Sequence, residues 1–175
     1  MGLHEHRSNS PRQVSIYVVT LSDTRDEMHD ASGDAICKAL RDAGQAVCGR
    51  TILREDAKTL RAGITKLLQR EDIDAVVING GTGIAPRDRA FDILSDLYDR
   101  PLPGFGELFR ALSYAEIGSA ALASRASAGV AHGKLLFSVP GSLGAVRLAL
   151  DRLIVPELAH LVGELRRAAE PEARP

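Results

Sequence analysis

The chain has 175 residues and a mass of 18.7 kDa, about the size of a single domain. Its 22 Lys and Arg residues nearly balance its 23 Asp and Glu residues, and this balance argues against a general nucleic-acid-binding protein. Hydrophobic residues make up 45% of the chain, enough for a full core, whereas 4 Phe, 3 Tyr and no Trp are too few for a base-stacking surface.

The sequence contains neither an apolar run long enough to span a bilayer nor the apolar segment of a signal peptide. We therefore expect a cytoplasmic protein with no membrane partner. Cys37 and Cys48 form no C-x-x-C motif, which predicts reduced core residues and neither a disulfide nor a zinc site. The polar ends predict a flexible leader over residues 1–12 and a flexible tail over 169–175, with a single domain over 13–168.

Strand and helix patterns alternate between these two ends. Short apolar, β-branched runs predict strands over residues 14–21, 45–53, 75–78 and 134–139. Apolar residues at helical spacing predict helices over residues 31–43, 60–68, 143–153 and 158–165. The middle segment is predicted to be irregular, and Pro156 is predicted to interrupt the last helical pattern. The alternation favours a three-layer αβα sandwich around a mostly parallel sheet.

Each predicted strand runs into a polar or glycine-rich turn. These turns are Ser22–Asp23, Glu55–Asp56, Asn79–Gly83 and Pro140–Ser142. Because the carboxyl ends of parallel strands share one edge of the sheet, where ligands bind, the four turns are predicted to converge on one site.

The turn that contains Gly80, Gly81, Thr82 and Gly83 has three glycines in four residues. Such a turn can curl its backbone N–H groups into an anion-binding nest, or it can be a tight strand-to-helix turn without a ligand. The spacing alone leaves both interpretations open. It excludes a P-loop, and Pro86 breaks the dinucleotide-binding fingerprint.

Arg87 and Asp88 follow the glycine turn directly. Arginine can bind phosphate and aspartate can bind Mg²⁺, although the pair would also suit an exposed salt bridge at a helix start. We expect Asp88 to form a carboxylate cluster for a Mg²⁺-nucleotide with Asp23 and Glu55. Ser142 is predicted to cap the helix that follows it, with anion binding by the same turn as an addition.

Several motifs in this order resemble the molybdopterin-binding family of molybdenum cofactor biosynthesis. They are Gly80–Gly83, Arg87–Asp88, the PGFGE run at 103–107, Ser124–Arg125, Pro140–Ser142 and the D-x-S-G run at 30–33. The resemblance extends over residues 14–158, and the stretches 112–118 and 124–129 point to one branch of the family.

The resemblance implies a homo-trimer or homo-hexamer that works with other cofactor-biosynthesis proteins. Active members of the family use Mg²⁺ and ATP to adenylylate molybdopterin on its phosphate, and pyrophosphate is released. By this likeness Asp88 and Glu55 are the catalytic and Mg²⁺-binding residues. The predicted substrate-binding residues are Ser22, Asp23, Gly80, Gly81, Thr82, Gly83, Arg87, Glu107, Ser124, Arg125, Pro140, Gly141 and Ser142.

Two positions depart from the pattern of the active members. Glu55 stands where the family usually has aspartate, and Ala90 stands where active members usually have threonine. Three functions therefore stay open: an adenylyltransferase, a pterin-binding or scaffold oligomer without catalysis, and a domain for another small phosphorylated ligand.

Overall fold

A computed structural model describes residues 10–24 and 27–169 of the chain. The predicted leader and tail lie mostly outside these ranges. The strands are β1 (Ser15–Leu21), β2 (Ala46–Leu53), β3 (Ala75–Asn79), β4 (Arg100–Pro101), β5 (Ser127–Ala131) and β6 (Lys134–Val139). The helices are α1 (Ala31–Asp42), α2 (Ala57–Leu68), α3 (Ala90–Leu97), α4 (Pro103–Ile117), α5 (Leu143–Ala149) and α6 (Val155–Ala169). Short 3₁₀ helices cover Glu27–His29 and Gly118–Ala123, and a π turn covers Leu150–Ile154.

The six strands form one sheet in the order β2-β1-β3-β6-β5-β4, in which the first four strands are parallel. One apolar cluster packs α1, α4, α5 and α6 on one face of this sheet, with Ile36 and Phe109 at its centre. A second cluster packs α2 and α3 on the other face, around Ile64 and Leu94. The three-layer αβα fold predicted from the alternating pattern is confirmed.

The middle of the chain, predicted to be irregular, contains the helices α3 and α4 and the strands β4 and β5, and β5 pairs antiparallel with both β4 and β6. β5 reads Ser-Ala-Gly-Val-Ala and β4 has two residues, so neither shows the β-branched run that marks a strand in the sequence. β5 joins β6 through His132 and Gly133, whose φ angles of 50° and 72° are the positive values that a two-residue hairpin turn requires.

The predicted interruption at Pro156 is wrong, because the chain stays helical from α5 to the end of α6. The π turn between them is widened, so that the Val155 N–H donates to the Leu150 carbonyl, five residues earlier. Proline lacks an N–H and crowds the preceding turn, and a widened turn relieves this conflict without ending the helix.

Side chains cap the starts of three helices, and the cap predicted at Ser142 is confirmed. The side chains of Asp30, Asp56 and Ser142 accept backbone N–H groups at the starts of α1, α2 and α5. The backbone and hydroxyl of Thr59 donate to Asp56 and hold the pKa of its carboxyl below the usual value. The residue directly after Glu55 therefore serves as a helix cap.

The two cysteines lie on opposite faces of the sheet and are free thiols. Cys37 is buried, as predicted, and burial raises the pKa of its thiol. Cys48 is half-buried on the edge strand β2, where its Sγ donates to the Ile16 carbonyl at 3.3 Å. Among the described residues, no helix combines the length and the apolar character needed to cross a membrane.

Candidate functional site

A cleft of about 340 Å³ opens where β3 and β6 end, and it is called the strand-end cleft below. Its floor is made of two loops, residues 80–83 after β3 and residues 140–142 after β6. The lining residues are Gly81, Thr82, Gly83, Asp88, Phe109, Ser113, Ile117, Ala120, Ala121, Ala123, Ser124, Pro140, Gly141, Ser142 and Ala145.

Two residues with positive φ set the backbone path of residues 80–83, called the glycine loop below. Gly80 has φ 106° and Gly81 has φ 64°, and a Cβ at Gly80 would lie only 2.7 Å from the Leu21 carbonyl oxygen. The Gly80 N–H donates to the Val139 carbonyl of β6 at 2.9 Å. This contact brings the two loops together, so a Cβ at Gly141 would lie 3.3 Å from the Gly80 Cα. The backbone itself forms the cleft floor.

A buried polar network lies beneath the two loops and joins α1 to the sheet. Asn79 Nδ2 donates to Thr20 Oγ1 at 2.9 Å, and Thr20 Oγ1 donates to Asp30 Oδ2 at 2.6 Å. Asp30, which is 2% exposed, also accepts the Gly33 N–H at 3.0 Å. A buried carboxylate requires such partners, and the network gives a physical reason for the D-x-S-G run.

Ser32 supports the strand-end cleft, although the sequence pattern predicted no role for its side chain. Its Oγ donates to the Gly141 carbonyl at 2.8 Å, across 109 residues of chain, and the side chain is buried. The D-x-S-G run was the available signal, but it does not reveal which loop the hydroxyl reaches. Ser32 thus ties α1 to the floor of the strand-end cleft.

Replacement of Ser32 by Ala is expected to lower the free energy of unfolding by about 1–2 kcal/mol, because the Gly141 carbonyl loses its donor. Urea denaturation checks this, with Ser95→Ala at an exposed position of α3 as the control. An unfolding free energy equal to that of the parent would contradict the role of this hydrogen bond.

Asp88 is the one carboxylate among the described residues that line the strand-end cleft. Its Oδ2 accepts the Ala85 N–H at 2.8 Å and lies against Gly83, where a Cβ would come within 2.6 Å of it. The side chain is half-exposed. This arrangement places a single negative charge beside a floor of backbone amides, where it can meet a cation carried by an anionic ligand.

One wall of the cleft comes from α4 and is mostly apolar. Phe109, Ser113 and Ile117 line it at four-residue spacing, and small alanines of the following 3₁₀ turn continue it. Ser113 is 5% exposed and Ile117 is 60% exposed. These residues were missed because they lie in the middle segment, although their helical spacing was a usable signal. A polar floor with an apolar wall suits a ligand that has both a charged and a flat apolar part.

Of the four turns predicted to converge, the structure brings together the two that follow β3 and β6. The turns after β1 and β2 do not line the strand-end cleft. Asp23 Oδ1 accepts the Glu55 N–H at 3.2 Å, and Ser22 Oγ accepts the Thr24 N–H at 3.2 Å, so these residues form a separate group. The expected cluster of Asp23, Glu55 and Asp88 is wrong. In residues 10–24 and 27–169, no three acidic, His or Cys side chains are placed to hold a metal ion. β2 is the edge strand, and β1 separates it from β3.

Three further predicted residues lie away from the strand-end cleft. Arg87 is exposed on the loop, and Glu107 lines a different recess, of about 350 Å³, that also contains Tyr98. In that recess burial raises the pKa of Tyr98 to about 12, and its hydroxyl lies 3.0 Å from Ser127 Oγ. Arg125 is not on the lining of the strand-end cleft but on that of a neighbouring recess, and its Nε donates to the Gly83 carbonyl at 2.9 Å. The substrate-binding roles of these three side chains stay predictions.

Comparisons with known proteins agree with this architecture. The sequence profile of the family described as "Probable molybdopterin binding domain" matches residues 17–160. The chain is 45% identical over 168 residues to molybdenum cofactor biosynthesis protein B of Bacillus cereus, covering 95% of this chain and 99% of that protein. It is equally similar, at 45% identity over 168 residues, to the protein of the same name from Bacillus subtilis.

Solved structures give the same result. A crystal structure of molybdenum cofactor biosynthesis protein B is 45% identical, with a TM-score of 0.88 over 90% of this chain and 99% of that one. The tungsten cofactor synthesizing protein MoaB from Pyrococcus furiosus is 34% identical, with a TM-score of 0.80 and the same coverage of both chains. These findings support a role in molybdenum cofactor biosynthesis, and the chain belongs to the molybdopterin-binding domain family.

Proposed function

We propose that this protein binds molybdopterin in the strand-end cleft and adenylylates its phosphate with ATP, releasing pyrophosphate. The observation that carries the proposal is the meeting of the glycine loop, Asp88 and the loop 140–142 around one cleft. The family membership and the relatives named molybdenum cofactor biosynthesis protein B support the same pathway.

In the proposed reaction a phosphate oxygen of molybdopterin attacks the α-phosphorus of ATP. A new P–O bond forms there, the bond between the α-phosphorus and the bridging oxygen breaks, and pyrophosphate leaves with its electron pair. The backbone floor at Gly81–Gly83 would hold the anionic groups, and the wall at Phe109 and Ile117 would pack against the pterin. Such transfers need positioning and charge neutralisation, so a nucleophilic side chain is unnecessary.

Mg²⁺ fits the side chains of the strand-end cleft. This ion commonly takes one or two protein carboxylates and completes its shell with water and substrate phosphates. Asp88 is positioned to supply one carboxylate, and the bound ion would neutralise charge on the phosphates. The resemblance also predicts Glu55 as a second Mg²⁺ ligand. Glu55 follows the edge strand β2, and this position gives no further support for that role.

A second candidate function is pterin binding without turnover, as a scaffold of the same pathway. The observation that favours it is the separation of Asp23 and Glu55 from Asp88, which leaves Asp88 as the one carboxylate that the described residues place on the lining of the cleft. Binding through the backbone floor and the apolar wall does not require the other two.

Two measurements on the wild-type protein separate these candidates. Calorimetric titration with molybdopterin tests binding, and pyrophosphate release with molybdopterin, ATP and Mg²⁺ tests turnover, with a reaction lacking molybdopterin as the control. Binding with release supports the adenylyltransferase. Binding without release leaves the scaffold function, and the absence of binding rejects both.

We also propose that the protein acts in the cytoplasm as a homo-trimer or homo-hexamer, together with other proteins of the pathway. Exposed apolar side chains on α4 and the turn after it support a subunit contact, since Leu108, Tyr114 and Leu122 are 57%, 64% and 85% exposed. Sedimentation equilibrium measures the mass of the assembly, and a monomer at micromolar concentration would contradict this proposal.

A further inference from the structure

We propose that Arg125 is a positioning residue, which holds the glycine loop in its binding shape through hydrogen bonds to loop carbonyls and does not itself contact the ligand. The inference rests on the proposed function only for its ligand-binding readout. It departs from the role that the resemblance implies for this residue, which is direct binding of substrate.

The contacts of the guanidinium carry the inference. Nε donates to the Gly83 carbonyl at 2.9 Å, Nη2 donates to the Asp88 carbonyl, and Nη1 donates to Asp92 Oδ1 at 2.9 Å. The backbone N–H of the same residue donates to the Thr82 carbonyl at 2.9 Å. One residue therefore bonds to three carbonyls of the glycine loop and the segment that follows it. The side chain is 27% exposed.

Helix α3 holds the guanidinium in place. Asp92 accepts one of its N–H groups, and the ring of Phe91 lies 5.3 Å from the guanidinium carbon, within the range of a cation–π contact. Both residues are in the first turn of α3, directly after the loop. These contacts of Arg125, called the clamp below, connect the loop to the helix that follows it. Arg125 lies 37 residues after Asp88 in the chain.

The segment between Gly83 and Asp88 has no regular secondary structure and few backbone bonds of its own. The described bonds within it are Asp88 N–H to the Ala85 carbonyl and Ala85 N–H to the Asp88 carboxylate. By bonding to the carbonyls of Gly83 and Asp88, Arg125 fixes the distance between the two ends of this segment. That distance sets where the Asp88 carboxylate lies relative to the floor of the strand-end cleft.

The geometry separates this role from a purely electrostatic one. A guanidinium is a planar fork with five N–H donors and can reach two carbonyls and a carboxylate at once, whereas an ammonium is a point charge. Lysine at position 125 would keep the positive charge but lose the bridge. A direct phosphate contact that depends only on positive charge would be largely preserved by lysine, and the bridging role would not.

Arg89 provides a matched control. Its Nε lies 3.6 Å from Oδ2 of the same Asp92, and its side chain is 51% exposed. Within the described parts of the chain it makes no hydrogen bond to a loop carbonyl. Arg89→Lys therefore repeats the substitution beside the same carboxylate without breaking the bridge.

The experiment compares Arg125→Lys, Arg125→Ala and Arg89→Lys by hydrogen exchange of residues 80–90 and by molybdopterin titration. We expect both Arg125 variants to exchange the Ala85 and Asp88 amides about tenfold faster and to bind molybdopterin about tenfold more weakly. Exchange in α2 should be unchanged. Arg89→Lys should stay within about twofold of the parent in both measurements. A fourth variant, Asp92→Asn, should also speed amide exchange and weaken molybdopterin binding, but less than the Arg125 variants do. It replaces Arg125→Ala in the comparison if that variant does not fold.

Two results would overturn the inference. Binding retained by Arg125→Lys but lost by Arg125→Ala would show direct recognition of charge, and loop exchange unchanged in Arg125→Lys would show that the bridge does not hold the loop. If the wild-type protein does not bind molybdopterin, the proposed function fails. The loop exchange still tests the clamp in that case.

Discussion

Replacement of Asp88 by Asn is expected to slow pyrophosphate release by roughly 10²–10³-fold while the protein remains folded. The substitution removes the one carboxylate charge that the described residues place on the lining of the strand-end cleft. An amide oxygen can still accept the Ala85 N–H that Asp88 Oδ2 accepts at 2.8 Å, so the turn itself should persist. The loss would then report the charge and not the shape of the loop.

The measurement is initial-rate pyrophosphate release at saturating ATP and Mg²⁺, together with thermal unfolding of each variant. Asp96→Asn is the matched control, since that carboxylate lies on the outer side of α3, 66% exposed and paired with Arg61. It should retain the parental rate. A parental rate in Asp88→Asn would refute the role assigned to Asp88.

Replacement of Gly33 by Ala is expected to lower the free energy of unfolding by about 2–3 kcal/mol. A Cβ at this position would lie 2.1 Å from Asp30 Oδ2 and 3.0 Å from Thr20 Oγ1. Relief of the clash requires the buried carboxylate to move. The movement would break the hydrogen bonds that join Thr20, Asp30 and the first turn of α1.

Gly144→Ala is the matched control for this substitution. Gly144 also lies in the first turn of a helix, and a Cβ there meets no atom within 4 Å. Because alanine favours helix over glycine, this variant should be as stable as the parent or more stable by up to about 1 kcal/mol. Urea denaturation gives both values, and equal stabilities for the two variants would contradict the steric account of Gly33.

The parts of the fold that the sequence predicts are those set by local chemistry. The apolar run at β3 marks a buried strand, and the side chains of Asp30 and Ser142 mark helix starts. The strand-end rule then places Gly81 and Gly141 at one cleft, as the structure confirms.

The parts that the sequence could not predict depend on long-range geometry. The separation of Glu55 from Asp88 follows from strand order, which no local pattern encodes. Arg125 is visibly a cation in the sequence, but only the fold shows that its donors bond to loop carbonyls. β5 was not predicted because its small residues have low strand propensity, and the strand is stabilised by pairing with β4 and β6.

The π turn explains how one long helical segment stays against the sheet. Its buried side chains Val146, Leu150, Ile154, Leu158 and Val162 recur every four residues, and each is at most 2% exposed. In a helix of 3.6 residues per turn, every such step overshoots by about 40°, so four steps would drift by about 160° and turn Val162 towards solvent. The extra residue of the π turn reverses about 100° of this drift. Without it, an uninterrupted helix would have to alternate spacings of three and four to keep the same stripe in phase with the core.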